Sequence, residues 1–228
     1  MSDVARPGRE FGAGPLSRAS ARVYTLLVVE ALLLVSIAPG LLLTTVLAHD
    51  PSNLPLLVLA AVPLGPALSA ALVALDRQHD LADLHPAAVF GRTYRRNTVG
   101  VLRLWVPMLM ALTVIGINLT HWDAAGLPAG WAVLLGGIAV AVTVWGLTAL
   151  VISTFFTFRT RDTARLAWYL LARTPGVTWG TGGLLIVAGA VIGLWSEAVL
   201  ALLGSVFAWS MLHTFRPAIT VLKREFTG

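Results

Sequence analysis

The chain has 228 residues, of which 57% are hydrophobic and only 12% charged. Ordinary soluble domains carry about 25% charge, so this much apolar surface exceeds what one soluble core can hide, and the chain reads as an integral membrane protein. With no cysteine, disulfides, thiolate metal sites and cysteine nucleophiles are excluded; the formal charge of +5 matters here for where it falls, and no nucleic-acid partner is expected.

Residues 1–20, "MSDVARPGREFGAGPLSRAS", mix glycine, proline and charge without periodicity and read as a mobile basic arm resting on anionic headgroups. Six apolar runs follow, at roughly 23–47, 53–75, 98–120, 130–156, 176–195 and 197–215. Each is about the length that a helix rising about 1.5 Å per residue needs to cross a core about 30 Å thick. The arm and the first run, ending "TVLAHD", also resemble a secretory signal cleaved after Ala48, but signal cores span only about 7–15 residues. The expected division is an arm at 1–20, a six-helix transmembrane domain at 21–216 and a short tail at 217–228.

Glu30 lies about eight residues, roughly 12 Å, into the first run from Arg22. A charge in the membrane costs at least about 2.5 kcal/mol on insertion scales and usually has a partner or a task. Arg103 enters the third run to a comparable depth, so an intramembrane Glu30–Arg103 ion pair is the simplest expectation. A proton-coupling carboxylate, a carboxyl kept neutral by burial, and one reaching back to the interface stay open.

The second run carries "PLGPALSAALVAL" at 63–75. Proline frees a backbone carbonyl and kinks a spanning helix, which is tolerated only where protein or water satisfies the freed groups. Pro63 and Pro66 therefore place this span centrally. Gly65 and Ser69, four apart, form a small-xxx-small ridge for close packing; a transporter-type broken helix is the functional alternative. Gly189 and Gly193 form a similar ridge in the fifth run, read as packing.

Two connections carry their own helical stretches, "HPAAVFGRTYRRN" at 85–97 and "RDTARLAWYLLART" at 161–174. Arg92, Arg95 and Arg96 on one, and Arg161, Arg165 and Arg173 on the other, stand among Phe90, Tyr94, Trp168 and Tyr169. They describe basic amphipathic helices preceding spans three and five, docked on the inner leaflet or on a partner protein. Similar words, "TVGV" at 98 and "TPGV" at 174, lead into the following spans and hint at an internal repeat.

All 16 basic residues fall before the first run, in the second and fourth connections with Arg103 beside them, and after the last run. By the positive-inside rule both termini are cytoplasmic, giving an all-α bundle of six helices arranged as three hairpins. The opposite turns hold His49 and Asp50, then His121, Trp122 and Asp123, then Trp195 and Glu197. His49, Asp50, His121, Asp123 and Glu197 could ligate a divalent metal if the tips converged, and carboxylates beside tryptophan suit sugars. Ordinary interfacial residues are the plainer reading, and no metal or cofactor is expected.

No enzyme motif emerges. "GTGG" at 180–183 lacks the GK[ST] of a Walker loop and a preceding strand, and Ser153, Ser196 and Ser210 lack a G-x-S-x-G frame. His213 beside Arg216 reads as an interfacial histidine, and Asn118 and Thr120 as bundle contacts. A membrane metal hydrolase built on the outer histidines and aspartates is the remaining enzymatic alternative; the expectation is a protein without catalytic residues.

"PLGPALSAALVAL", followed by "DLHPAAVFGRTYRRN" and "LRLWVP", resembles the YesL family of bacterial membrane proteins, known as domain of unknown function 624. The resemblance is clearest from about residue 53 to 108. It carries over no catalytic residue. It implies a multi-pass protein of the bacterial plasma membrane that accompanies carbohydrate uptake, as an accessory or regulatory partner of ABC importer permease subunits. Where that family commonly has an asparagine in the first span, this chain has Glu30. The alternative expectation is an autonomous small-solute transporter or channel using Glu30 and Arg103. A polar cavity reaching Glu30 would favour transport; a paired Glu30 in a sealed bundle would favour the accessory role.

Overall fold

A lipid core offers no water to backbone N–H and C=O groups, so apolar runs must close their hydrogen bonds within helices. A computed structural model, which describes residues 15–47, 50–77, 85–122, 126 and 128–226, has that form. The described residues are helical throughout, joined by short turns, with no strand among them. In chain order the helices are α1 (Pro15–Val46), α2 (Leu54–Ala60), α3 (Leu64–Asp76), α4 (Pro86–Thr120), α5 (Ala129–Phe155), α6 (Thr160–Arg173), α7 (Pro175–Leu194), α8 (Glu197–Leu202) and α9 (Gly204–Phe226). A 3-10 turn at Pro51–Asn53 precedes α2.

Among the described residues, five helical stretches are long and apolar enough to cross a membrane: Ala19–Val46, Leu54–Asp76, Pro86–Thr120, Ala129–Phe155 and Pro175–Leu194. They are the mark of a multi-pass membrane protein. The run at 197–215, expected as one more span, is split at Leu203 between α8 and α9. The second stretch is also broken, between α2 and α3, where Pro63 and Pro66 cannot donate to the ladder. Residues 15–20, expected within a mobile arm, already belong to α1.

The basic stretch 85–97 is not a separate surface helix. Pro86, at the first turn where its missing N–H is harmless, starts α4, which runs 35 residues without interruption through the third apolar run. At 1.5 Å per residue it is about 52 Å long, well beyond a 30 Å core, so its first turns project. The second amphipathic stretch does form its own helix, α6. Asp162 in its first turn and Arg173 in its last complement the helix dipole.

The core gathers around α3, which buries Gly65, Pro66, Ala67, Ser69, Ala70, Ala71, Leu72, Ala74 and Leu75. These are mostly small side chains, and they let α1, α4, α5 and α9 all approach α3. Glycine serves the same purpose at a few crossings. A Cβ on Gly40 would stand 2.2 Å from the Ala60 carbonyl oxygen, and one on Gly65 2.6 Å from the Trp105 ring. The expected packing of Gly189 and Gly193 is not formed: a Cβ at either would meet nothing within 4 Å.

Candidate functional site

Both interrupted stretches leave backbone groups without helical partners, and each is met by a side chain from another helix. At the first, the indole Nε1 of Trp105 on α4 donates to the Ala61 carbonyl at 3.0 Å. Leu64 N–H adds a second bond to the same oxygen at 3.2 Å. Gly65 is what admits the indole, since any side chain there would occupy the ring's place. Pro63, Gly65 and Pro66 thus form a packed break whose Ala61 carbonyl accepts two bonds, and the ring stays buried.

At the second, Glu30 of α1 faces the start of α9. Its Oε2 accepts the backbone N–H of Ser205 at 2.6 Å, and a Cβ on Gly204 would lie 3.5 Å from Oε1. A carboxylate at a helix N-terminus is favoured by the unpaired amides and the positive dipole end. Oε1 is buried and has no hydrogen-bond partner among the described residues. The expected Glu30–Arg103 pair does not form: Arg103 is exposed and lines a separate groove beside Arg96, Asn97 and Arg159.

Between the two breaks lies a cavity of about 370 Å³, bordered by Trp105 and Gly204 and walled by Leu33, Leu64, Leu184 and Met211. Its polar edges are few. Thr143 and Thr181 turn their hydroxyls back to carbonyls of their own helices, Ala139 and Val177, and Glu197 stands at the rim, exposed. The cavity is therefore apolar, unlike the polar passage that transport past Glu30 requires.

A hydrogen-bonded cluster ties α3, α4 and α5 together. Ser69, wholly buried, accepts from Asn97 Nδ2 at 3.3 Å and lies 3.0 Å from Thr154 Oγ1, which itself donates to the Leu150 carbonyl. Ser69 was legible as a small packing residue; its role as the shared partner of two helices was not. Two adjoining cavities, of about 290 and 500 Å³, open on either side of Asn97 and Thr154. Arg77 and Arg92 border the first, Arg103 and Arg159 the second, and Arg96 both.

The other expected surface residues are more dispersed. Arg95 shares an open basin with Arg92 and Arg96. Arg161, Arg165 and Arg173 are exposed on α6, Arg173 with its guanidinium 6.0 Å from the Tyr169 ring centroid. Trp168 stacks on Trp145 of α5, whose indole N–H donates to the Ala164 carbonyl at 3.1 Å, so α6 is pinned to α5.

Among the expected metal ligands, His49 and Asp123 lie outside the described residues. Asp50 accepts from the amide and hydroxyl of Ser52 at 2.8 and 2.5 Å, which lowers its carboxyl below the ordinary range, the hydroxyl contributing most. His121 Nδ1 sits 2.9 Å from the Ile117 carbonyl, Trp122 is half-buried and Trp195 exposed. No group of three histidines or carboxylates able to hold a metal occurs among the described residues.

Compared with protein-family models, with curated proteins and with solved structures, the chain matches none.

Proposed function

We propose that this chain is a six-crossing protein of the bacterial plasma membrane, both termini cytoplasmic, that works as an accessory or regulatory partner of a carbohydrate ABC importer. In this reading α8 and the apolar part of α9 together make the sixth crossing, and the arginine-bearing end faces the cytoplasm. The protein performs no catalysis of its own; it holds permease subunits through the exposed arginines of α6, Arg161, Arg165 and Arg173, and through Arg95, exposed on α4.

One observation favours this over autonomous transport. Glu30, the ionisable group deep in the first span, is engaged with the start of α9, and the cavity beside that junction is apolar. A solute pathway through the bundle would need polar groups there. The YesL resemblance supplies the class of partner.

The test is purification of the tagged chain from its native host in lipid nanodiscs after mild cross-linking, with quantitation of what accompanies it. Near-stoichiometric recovery of importer permease subunits is expected, together with their loss in Arg161→Glu/Arg165→Glu, where like charge replaces a complementary contact. A chain recovered without permease subunits overturns the reading. Sugar uptake by that chain alone in proteoliposomes, abolished in Glu30→Gln, would establish the transporter in its place.

A further inference from the structure

We propose that the paired cavities beneath Arg96 form a binding site for a phosphate-bearing anion, gripped by Arg92, Arg96 and Arg103 of α4 together with Arg77 and Arg159. Arg92, Arg96 and Arg103 fall at i, i+4 and i+11. At 3.6 residues per turn, that spacing sets all three within about 40° of one helix face. Arg77 arrives from the residue that ends α3, and Arg159 from the residue that opens α6. Arg77 borders one cavity and Arg159 the other, with Arg96 on both, an arrangement that sequence separation hides.

The charge balance is one-sided. Among the described residues, Asp76 is the sole carboxylate bordering either cavity, and none of the five guanidiniums is ion-paired. Like charges held together repel unless an anion joins them, and planar guanidinium forks match the oxygens of phosphate in bidentate fashion. The α6 N-terminus adds to the attraction. Its cap residue, Arg159, makes no side-chain capping bond, and Thr160 and Thr163 of the first turn line the larger cavity.

The floor and lining narrow the ligand. Asn97 already gives its amide hydrogen to Ser69, which fixes its orientation beneath Arg96. Phe155, Phe156 and Phe158 add apolar surface to the lining of the larger cavity. With volumes near 290 and 500 Å³, against about 30 Å³ for one water in the liquid, the site has room for a phosphate ester and not only a bare ion. Two sources offer that chemistry: the headgroup of an anionic phospholipid, or a soluble phosphorylated compound. The site shares no arginine with the α6 docking face and stands whether or not the accessory role does.

The experiment has two arms, both on the full-length protein. In neutral detergent without lipid, thermal unfolding is followed against inorganic phosphate and glycerol 3-phosphate, with chloride at matched ionic strength. In nanodiscs, unfolding in pure phosphatidylcholine is compared with mixtures containing phosphatidylglycerol. Saturable stabilisation in the first arm identifies a soluble ligand, and in the second a lipid headgroup. Either effect should weaken at least about tenfold in apparent affinity in Arg96→Gln/Arg103→Gln, and persist in Arg161→Gln/Arg165→Gln. If the double variant folds poorly, Arg159→Gln, in the connection before α6, carries the same comparison. No stabilisation in either arm, or stabilisation equal in wild type and pocket variants, overturns the proposal.

Discussion

The carboxylate of Glu30 accepts the backbone N–H of Ser205 at 2.6 Å across an interval of 175 residues. It joins the first long apolar helix to the start of α9. Replacing it with leucine removes the acceptor from a helix N-terminus and should destabilise the fold by about 1–2 kcal/mol, the scale of losing a cap. Glu30→Gln retains an oxygen acceptor, loses the charge–dipole attraction and should lose less than about 1 kcal/mol. Denaturant titration of the protein in mixed micelles measures both.

Because Glu30 and Arg103 do not meet, their effects should be independent. A double-mutant cycle of Glu30→Gln and Arg103→Gln is expected to give a coupling energy within about 0.5 kcal/mol of zero. A larger coupling would restore the ion pair that the sequence alone suggests.

Trp105 and Gly65 test the first break. Trp105→Phe keeps most of the ring and removes the N–H that reaches Ala61, so stability should fall by about 1 kcal/mol or more as that carbonyl loses a partner. Gly65→Ala drives a methyl against the ring at 2.6 Å and should lose about 1–3 kcal/mol by overpacking. Combining it with Trp105→Leu should recover part of that loss. Simple additivity would show that the clash is not between these two residues.

Glycines with different neighbours should rank by how readily the neighbour yields. Gly40→Ala meets a backbone oxygen at 2.2 Å and Gly146→Ala the Met108 sulfur at 1.9 Å. Methionine has several rotatable bonds and can move aside, so Gly40→Ala should be the more damaging despite the longer distance. Gly189→Ala meets open space and should stay within about 1 kcal/mol of wild type. Melting temperatures of the three in identical nanodiscs give the order.

Asp50 provides a pH prediction. Its carboxyl is held below its ordinary value first by the Ser52 hydroxyl and then by the Ser52 amide. A depressed acid favours the folded turn above its unfolded pKa, and that contribution fades as pH falls through the lower folded value. Ser52→Ala should therefore move the Asp50 titration upward, toward the ordinary carboxylate range, as read by carbon-13 NMR of the labelled carboxyl. An unchanged titration would mean the turn does not persist in solution.

What the sequence discloses follows from the range of each interaction. Apolar runs, Pro63 and Pro66, and the helical stretch 161–174 are local signals; helices form along the first five runs and at α6 where those signals place them, while the run at 197–215 is split. Proline likewise announces the break between α2 and α3. The break at Leu203 has no proline, only Gly204 just after it, and an unbroken apolar run conceals it. Glu30 stands out as a charge in an apolar helix. Its actual partner, a backbone amide, carries no side-chain signature, so an arginine is the natural but mistaken candidate. Trp105 looks like any apolar residue until Ala61 is beside it. The stripe Arg92, Arg96 and Arg103 is visible in the spacing, whereas the approach of Arg77 and Arg159 depends on how four helix ends meet.

α4 carries both the arginine stripe and the indole that meets the α2–α3 break. Arg92 and Trp105 belong to one unbroken helix, thirteen residues and so about 20 Å apart along its axis. The rod that carries the arginines into the groove is also the rod whose indole latches the α2–α3 break. Pro107, inside the same helix, has no N–H to offer the Arg103 carbonyl, so the ladder lacks one bond at the turn that carries Trp105. The charged turns and the indole latch thus share one helix, and the proline-weakened turn of that helix falls at the latch.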